Sequence, residues 1–272
     1  MLINPKILVP LLALSLFTRG IGQDPSASAT TSPQPDRTEV TMKLKRGDFM
    51  VYRYHPGQHE FSTHPRALVI FGSGDGGFAN WEDRVCKGMQ ADGYEMVGFD
   101  CARYSQTDYN QPMLQADLAT IAQTILSEYG DFPPPLIYGG WSMGAVQAVA
   151  AGAQSAYRPK RLVGLLLISA AQRGRYGLRT ADRWEVPPTG PGTFAVADFE
   201  HQLDPLRIVQ WTGDLDPLDS TKWLNAVTAI HKVYSFPYGL HDFNGASDSF
   251  LKQLSESINW IIDPPSWQRE MD

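Results

Sequence analysis

Gly140-Trp141-Ser142-Met143-Gly144 is the stretch whose reading decides the fold: it has the form G-x-S-x-G. Pro135-Leu136-Ile137-Tyr138-Gly139 before it has the apolar continuity of a short buried strand, and Ala145 to Ala153 after it is a run of small residues suited to a closely packed helix. Strand, sharp turn and helix form the setting in which this motif is a nucleophile elbow. The serine sits in strained backbone geometry, glycines let neighbouring chain approach, and the helix N-terminus points N–H groups at the reacting atoms. Taken alone the motif is weak, because its fixed positions are common residues. Its weight depends on finding an acid and a base downstream.

An acid and a histidine are both there, in the order this elbow uses. The strand-like Leu206 to Trp211 leads into Thr212-Gly213-Asp214-Leu215-Asp216-Pro217, and Lys232 to Phe236 leads into Pro237-Tyr238-Gly239-Leu240-His241-Asp242. Each lies just past a strand end, where open α/β sheets bind ligands. A serine hydroxyl needs a base to become a nucleophile. Of the six histidines, His241 alone follows the last strand in a glycine-containing turn. The acid that orients it comes from Asp214, Asp216 or Asp219. The G-x-x-D spacing from Gly213, with Pro217 turning the chain, favours Asp216, and Asp214 stands as the alternative. The expected catalytic set is Ser142, His241 and Asp216.

A developing oxyanion needs two backbone donors. Met143, directly after the serine, supplies one; the loop Gly72-Ser73-Gly74-Asp75-Gly76-Gly77 supplies the other, assigned to Ser73. Asp75 in that loop has two open roles, meeting a cationic substrate group or tying the turn through an Asx-type bond. Trp141 is a further candidate substrate contact. The loop is glycine-rich but lacks the Gly-Lys-Ser/Thr ending of a phosphate cradle, so nucleotide binding is not expected. His55, His59 and His64 are interrupted by Pro56 and Gly57, so no metal site is expected, and the chemistry requires no cofactor.

Working outward, Val40–Lys45 and Phe49–Tyr54 predict a leading antiparallel hairpin turning at Arg46-Gly47-Asp48. Ala67–Phe71, Glu95–Phe99 and Leu162–Ile168 predict buried strands. A helix begins with Asn80 as N-cap and Asp83 three residues on, and another runs from Pro112 to Tyr129 with Leu114, Leu118, Ile121, Ile125 and Leu126 on one face. Strands alternating with helices imply a mainly parallel sheet covered on both sides. Ala171 to Pro205 breaks the rhythm with prolines, glycines and the bulky Trp184, Phe194 and Phe199. It reads either as a short lid over the serine or as a surface loop packed by its own aromatics.

The first 22 residues have a weakly basic lead, the apolar run Ile7–Phe17 and small residues at Gly20-Ile21-Gly22, and read as a secretory signal peptide, with an uncleaved anchor as the alternative. Residues 23–37, rich in Ser, Thr, Ala and Pro, read as a disordered leader, and residues 38–272 as one domain. The formal charge is −6, and removing Lys6 and Arg19 with the signal brings it to −8. With no basic run, nucleic acid is not an expected partner; a cationic substrate group is attracted. Export leaves two readings of Cys86 and Cys101: one disulfide, or two separate buried thiols.

Phe71-Gly-Ser-Gly-Asp75-Gly-Gly77, Val97-Gly-Phe-Asp100-Cys-Ala-Arg103-Tyr104-Ser105, the elbow and Gly239-Leu-His241-Asp-Phe243-Asn244-Gly245 together resemble the VirJ/AcvB family, in order across most of residues 66–260. The resemblance implies an α/β-hydrolase fold, location in the periplasm, hydrolysis of aminoacylated phosphatidylglycerol (chiefly the lysyl ester) at a membrane surface, and association with a secretion system and virulence. It places the family's serine on Ser142 and its histidine on His241. The chain departs from the family elbow, Gly-Tyr-Ser-Phe-Gly-Ala-Asp, at Trp141, Met143 and Val146, and has Asn244 where the family has an acid. Two carboxylates near the site are thereby lost, which bears on the substrate and leaves Ser142, Asp216 and His241 untouched. The reading is an exported serine hydrolase cleaving an ester, with a general carboxylesterase, or a non-catalytic secretion-associated protein with a vestigial triad, as alternatives.

Overall fold

The computed structural model describes residues 37–56, 64–183, 187–218 and 220–263. The proposed signal peptide, nearly all of the leader, His59, Trp184 and Asp219 lie outside them. The described chain opens with the hairpin β1 (Thr38–Leu44) and β2 (Gly47–Tyr54). Its turn is one residue earlier than expected, because Leu44 pairs with Gly47 and only Lys45 and Arg46 lie between. Next come β3 (Leu68–Gly72), α1 (Asn80–Ala91), β4 (Glu95–Phe99), the short α2 (Cys101–Tyr104), α3 (Gln111–Leu126), β5 (Leu136–Trp141), α4 (Met143–Gly152) and β6 (Leu162–Ile168). The two-stranded β7 (Arg173–Arg175) and β8 (Thr193–Ala195) interrupt the alternation, followed by β9 (Arg207–Gly213), β10 (His231–Phe236), α5 (Phe243–Ala246) and α6 (Asp248–Ile262).

Eight strands form one sheet in the order β1-β2-β4-β3-β5-β6-β9-β10. From β4 to β10 every neighbour is parallel, and the hairpin adds antiparallel at the β4 edge. Period-two alternation explains why the central strands read as continuous apolar runs. Leu68, Ile70, Tyr138, Leu165 and Leu167 enter one core with α3 and α4. Val69, Phe71, Ile137, Leu166 and Ile168 enter the other with α1 and α6. Both faces are buried, so a charge on these strands needs a partner, as Glu95 of β4 has in Arg53.

The start of α1 differs from expectation by one residue. Ala79 is the N-cap, and the Glu82 carboxylate, three residues on, accepts its N–H at 3.0 Å. Asn110 caps α3 by accepting from the Met113 N–H at 2.9 Å, and the last turn, Ser127–Tyr129, tightens to a 3-10 helix. Cys86 and Cys101 are free thiols, each buried, and belong to the cores on opposite faces of the sheet, so they are not bridged. Burial pushes both thiols well above their ordinary pKa.

Candidate active site

Parallel strands deliver their C-terminal ends to one edge, and four loops meet there. β5 ends at Ser142, whose backbone takes φ 53° and ψ −115°, a conformation unfavourable for a residue with a Cβ. The strained turn is held by the Ser142 N–H donating to the Ile168 carbonyl at 2.9 Å and by Val146 donating to the Ser142 carbonyl at 3.2 Å. Gly144 is required sterically: a Cβ there would stand 2.2 Å from the Gly72 carbonyl oxygen. Met143 begins α4, so its N–H has no partner within the helix and lies at the positive end of the helix dipole.

The loops after β9 and β10 are packed on one another. A Cβ on Gly213 would lie 2.5 Å from the Gly239 carbonyl oxygen, and the Leu215 N–H donates to that same oxygen at 2.9 Å. This brings His241 Nδ1 to 2.8 Å from Asp216 Oδ2. The Asp216 side chain is wholly buried. It also accepts from Ser169 Oγ at 2.8 Å and, through Oδ1, from the Leu218 N–H at 2.9 Å. Burial alone raises its pKa, but the bonds from His241, Leu218 and Ser169 outweigh it, and the carboxyl lies below its ordinary value. Asp214 is exposed and its carboxylate accepts instead from the Ser235 hydroxyl. Ser169 was not among the expected site residues; a small hydroxyl residue just past β6 is its only local signal.

Trp141 is not among the residues that line the cavity with Ser142 and His241. Its indole N–H donates to the His241 carbonyl at 2.7 Å, while its ring lies against Trp81 with centroids 4.6 Å apart. Trp81 Nε1 in turn donates to the Asp242 carbonyl at 2.6 Å. The Trp81 contact crosses 161 residues, beyond any local sequence signal.

Ser73 has its N–H engaged away from the expected oxyanion role. The Phe99 carbonyl accepts it at 3.0 Å, and the Ser73 hydroxyl accepts from the Cys101 N–H at 3.0 Å, so the residue binds the loop to β4 and α2. The Gly74 N–H donates to Glu82 Oε1 at 3.2 Å. Burial raises the Glu82 carboxyl above its ordinary pKa, against the backbone N–H groups of Ala79, Glu82 and Gly74, which lower it. Asp75 follows, and it lines the cavity. Neither its backbone N–H nor its carboxylate has a partner among the described residues, so its carboxylate does not tie the turn; the Gly77 N–H to Gly74 carbonyl bond at 3.2 Å does.

The cavity holds about 430 Å³ and is lined by Asp75, Ser142, Met143 and His241 on the sheet side. Its opposite wall comes from the Ala171–Pro205 stretch, including Arg173, Pro188 and Phe194. Tyr176 of that stretch meets Tyr109 edge-on at 5.5 Å and stacks on Phe194 at 4.5 Å, so the aromatic packing of the second reading is present and the stretch shares the cavity with the serine. Val146, standing where an acid was expected from the resemblance, contributes an apolar patch to the same cavity.

A mainly parallel sheet with an elbow serine, an acid past β9 and a histidine past β10 defines an α/β-hydrolase fold. Residues 66–259 match the profile of the family described as bacterial virulence protein (VirJ), and the chain belongs to that family. Among solved structures, a highly thermostable carboxyl esterase from Bacillus coagulans is similar with a TM-score of 0.62 at 16% identity, covering 84% of this chain and all (100%) of that one. The esterase domain of a Rhodothermus marinus protein gives 0.58 at 15% identity over 86% of this chain and 98% of that one. A hyperthermophilic esterase from Pyrobaculum calidifontis gives 0.58 at 15% identity over 85% and 86%, respectively. At these identities the likeness is one of fold. No curated protein sequence matches the chain.

Proposed function

We propose that the protein is an exported serine ester hydrolase acting on an aminoacyl ester of phosphatidylglycerol, the lysyl ester foremost. The carrying observation is that Ser142, on its strained turn, shares one cavity with His241, whose Nδ1 is held at 2.8 Å by buried Asp216. Asp216 keeps the ring in the tautomer that presents Nε2 as base and stabilises the imidazolium that forms. Ser142 Oγ attacks the ester carbonyl as His241 takes its proton. The oxyanion is met by the N–H groups of Met143 and, with Ser73 engaged elsewhere, Asp75. Collapse breaks the acyl C–O bond, His241 returns the proton to the departing glycerol oxygen, and an aminoacyl-serine remains. Water then adds to that carbonyl, His241 taking its proton, and the amino acid leaves as Ser142 is restored.

The family resemblance supports the aminoacyl substrate, and so does the unpartnered Asp75 carboxylate at the cavity wall, suited to an ammonium group. The signal-peptide reading supports a periplasmic location, with secretion-system association as part of the same proposal. A second reading, a general carboxylesterase, is favoured by Val146, which leaves the cavity without a carboxylate at that position. The test is incubation of a bacterial lipid extract with the full chain and with Ser142→Ala, read by mass spectrometry of lipids, beside fluorophosphonate labelling. Loss of aminoacyl phosphatidylglycerol with wild type only supports the proposal. Labelling and turnover confined to neutral esters selects the carboxylesterase; a serine that never labels rejects both.

A further inference from the structure

We propose that Arg173 forms an anion-binding subsite in this cavity, making esters with a carboxylate or phosphate group near the scissile bond the preferred substrates. The inference rests on the ester-hydrolase reading and adds to it the charge of the group recognised. Besides His241, the charged side chains lining the cavity are Asp75, Arg173, Arg175 and Asp182. Arg175 and Asp182 neutralise one another at 2.9 Å with both side chains about nine-tenths buried, and Arg175 also donates to the Thr189 and Pro191 carbonyls at 2.7 Å each. Arg173, two residues earlier on β7, has no carboxylate partner among the described residues. Its Nε donates to the Pro188 carbonyl at 3.2 Å and its Nη2 to Thr193 Oγ1 at 3.3 Å.

These two bonds hold the guanidinium against the wall without neutralising it. Nη1 and the second N–H of Nη2 have no partner among the described residues, and a planar fork so placed matches two oxygens of a carboxylate or phosphate. Arg173 is exposed, so a charge pair formed there is partly screened by salt. Among the described residues lining the cavity, Asp75 and Arg173 are the charges of opposite sign without an ionic partner.

The test compares matched esters with the full chain. The mono-4-nitrophenyl ester of succinic acid against 4-nitrophenyl butyrate places the anion on the acyl side; butyryl glycerol 3-phosphate against monobutyrin places it on the alcohol side. Wild type is expected to prefer the anionic member of at least one pair in kcat/KM, a preference that fades with salt. Arg173→Gln lowers that ratio about tenfold, the worth of one charge-assisted hydrogen bond, and Arg173→Lys recovers part of it. The pair that responds identifies the side. Equal falls on both members, or an unchanged ratio in both pairs, overturns the subsite. If no ester is turned over, the hydrolase reading fails separately. Glycerol 3-phosphate and succinate binding to Ser142→Ala by calorimetry then decides: weakening by added Arg173→Gln sustains the subsite, and none removes it.

Discussion

Trp81 and Trp141 stack at 4.6 Å between ring centroids and donate their indole N–H groups to consecutive carbonyls, those of Asp242 and His241. One ring belongs to α1 and the other directly precedes the elbow serine, so a single aromatic pair ties two segments to the histidine loop. The backbone at 241 is thereby fixed from the serine side, while Asp216 fixes the imidazole from the other.

Trp141→Phe keeps an aromatic ring against Trp81 but leaves the His241 carbonyl without its donor. The loss of that bond is expected to cost about 1 kcal/mol of stability. Small displacements of a catalytic group are costly, so kcat should fall roughly tenfold with KM little changed. Steady-state kinetics and thermal melting check both. A raised KM at constant kcat would instead return Trp141 to a substrate contact.

In the proposed mechanism serine and histidine act as a unit. Ser142→Ala and His241→Ala should each lower turnover by about 10⁴-fold or more, with circular dichroism unchanged. Near-wild-type hydrolysis by either purified variant ends the assignment.

Asp216→Asn should cost far more activity than Asp214→Asn, since Asp216 holds His241 whereas Asp214 faces solvent and Ser235. A pH signature accompanies it. The Asp216 carboxyl is lowered on folding, so its stabilisation is complete above the ordinary carboxylate range and is lost as pH falls through the folded value. Acid denaturation midpoints measured on both variants should therefore show a shallower acid loss for Asp216→Asn than for wild type. A reversed activity ranking moves the orienting role to Asp214.

The sheet was legible because its strands are buried on both faces and read as unbroken apolar runs; β4 and β6 fall on the residues expected. The elbow was legible because strand, turn and helix are contiguous. Non-local pairings were hidden. Nothing near Ser73 reveals that its N–H is engaged across the sheet by Phe99, and nothing near Ser169 shows that Asp216 lies 47 residues ahead within 2.8 Å. The α1 cap shifted because Ala79 has no polar side chain with which to announce itself, and Glu82 does the capping from inside the helix. Cys86 and Cys101 left both readings open on a line of sequence, and they fall on opposite faces of the sheet as separate buried thiols.

That separation makes redox insensitivity an expected property. Melting temperature should be the same with and without a strong reductant, and thiol titration should find both cysteines only after unfolding, since each is buried with its thiol held protonated. A reductant-induced drop in melting temperature would show a bridge.

Asp75 offers the sharpest test of substrate charge. Its carboxylate lines the cavity without a partner among the described residues, and its neighbours Ser73 and Gly74 are fixed by Phe99 and Glu82. The turn is closed by backbone, so Asp75→Asn should leave the loop in place and the Asp75 position's N–H still available to an oxyanion. What the substitution removes is the charge. If that charge meets the α-ammonium of an aminoacyl group, kcat/KM for an aminoacyl ester should fall about ten- to thirtyfold, the scale of a partly desolvated charge pair. A neutral ester of the same size should lose less than about threefold. Raising the ionic strength should narrow the wild-type preference, because a pair at a cavity wall is only partly shielded from salt. Equal losses on the two esters, or none on either, would reject ammonium recognition by Asp75 and leave its backbone N–H as its contribution.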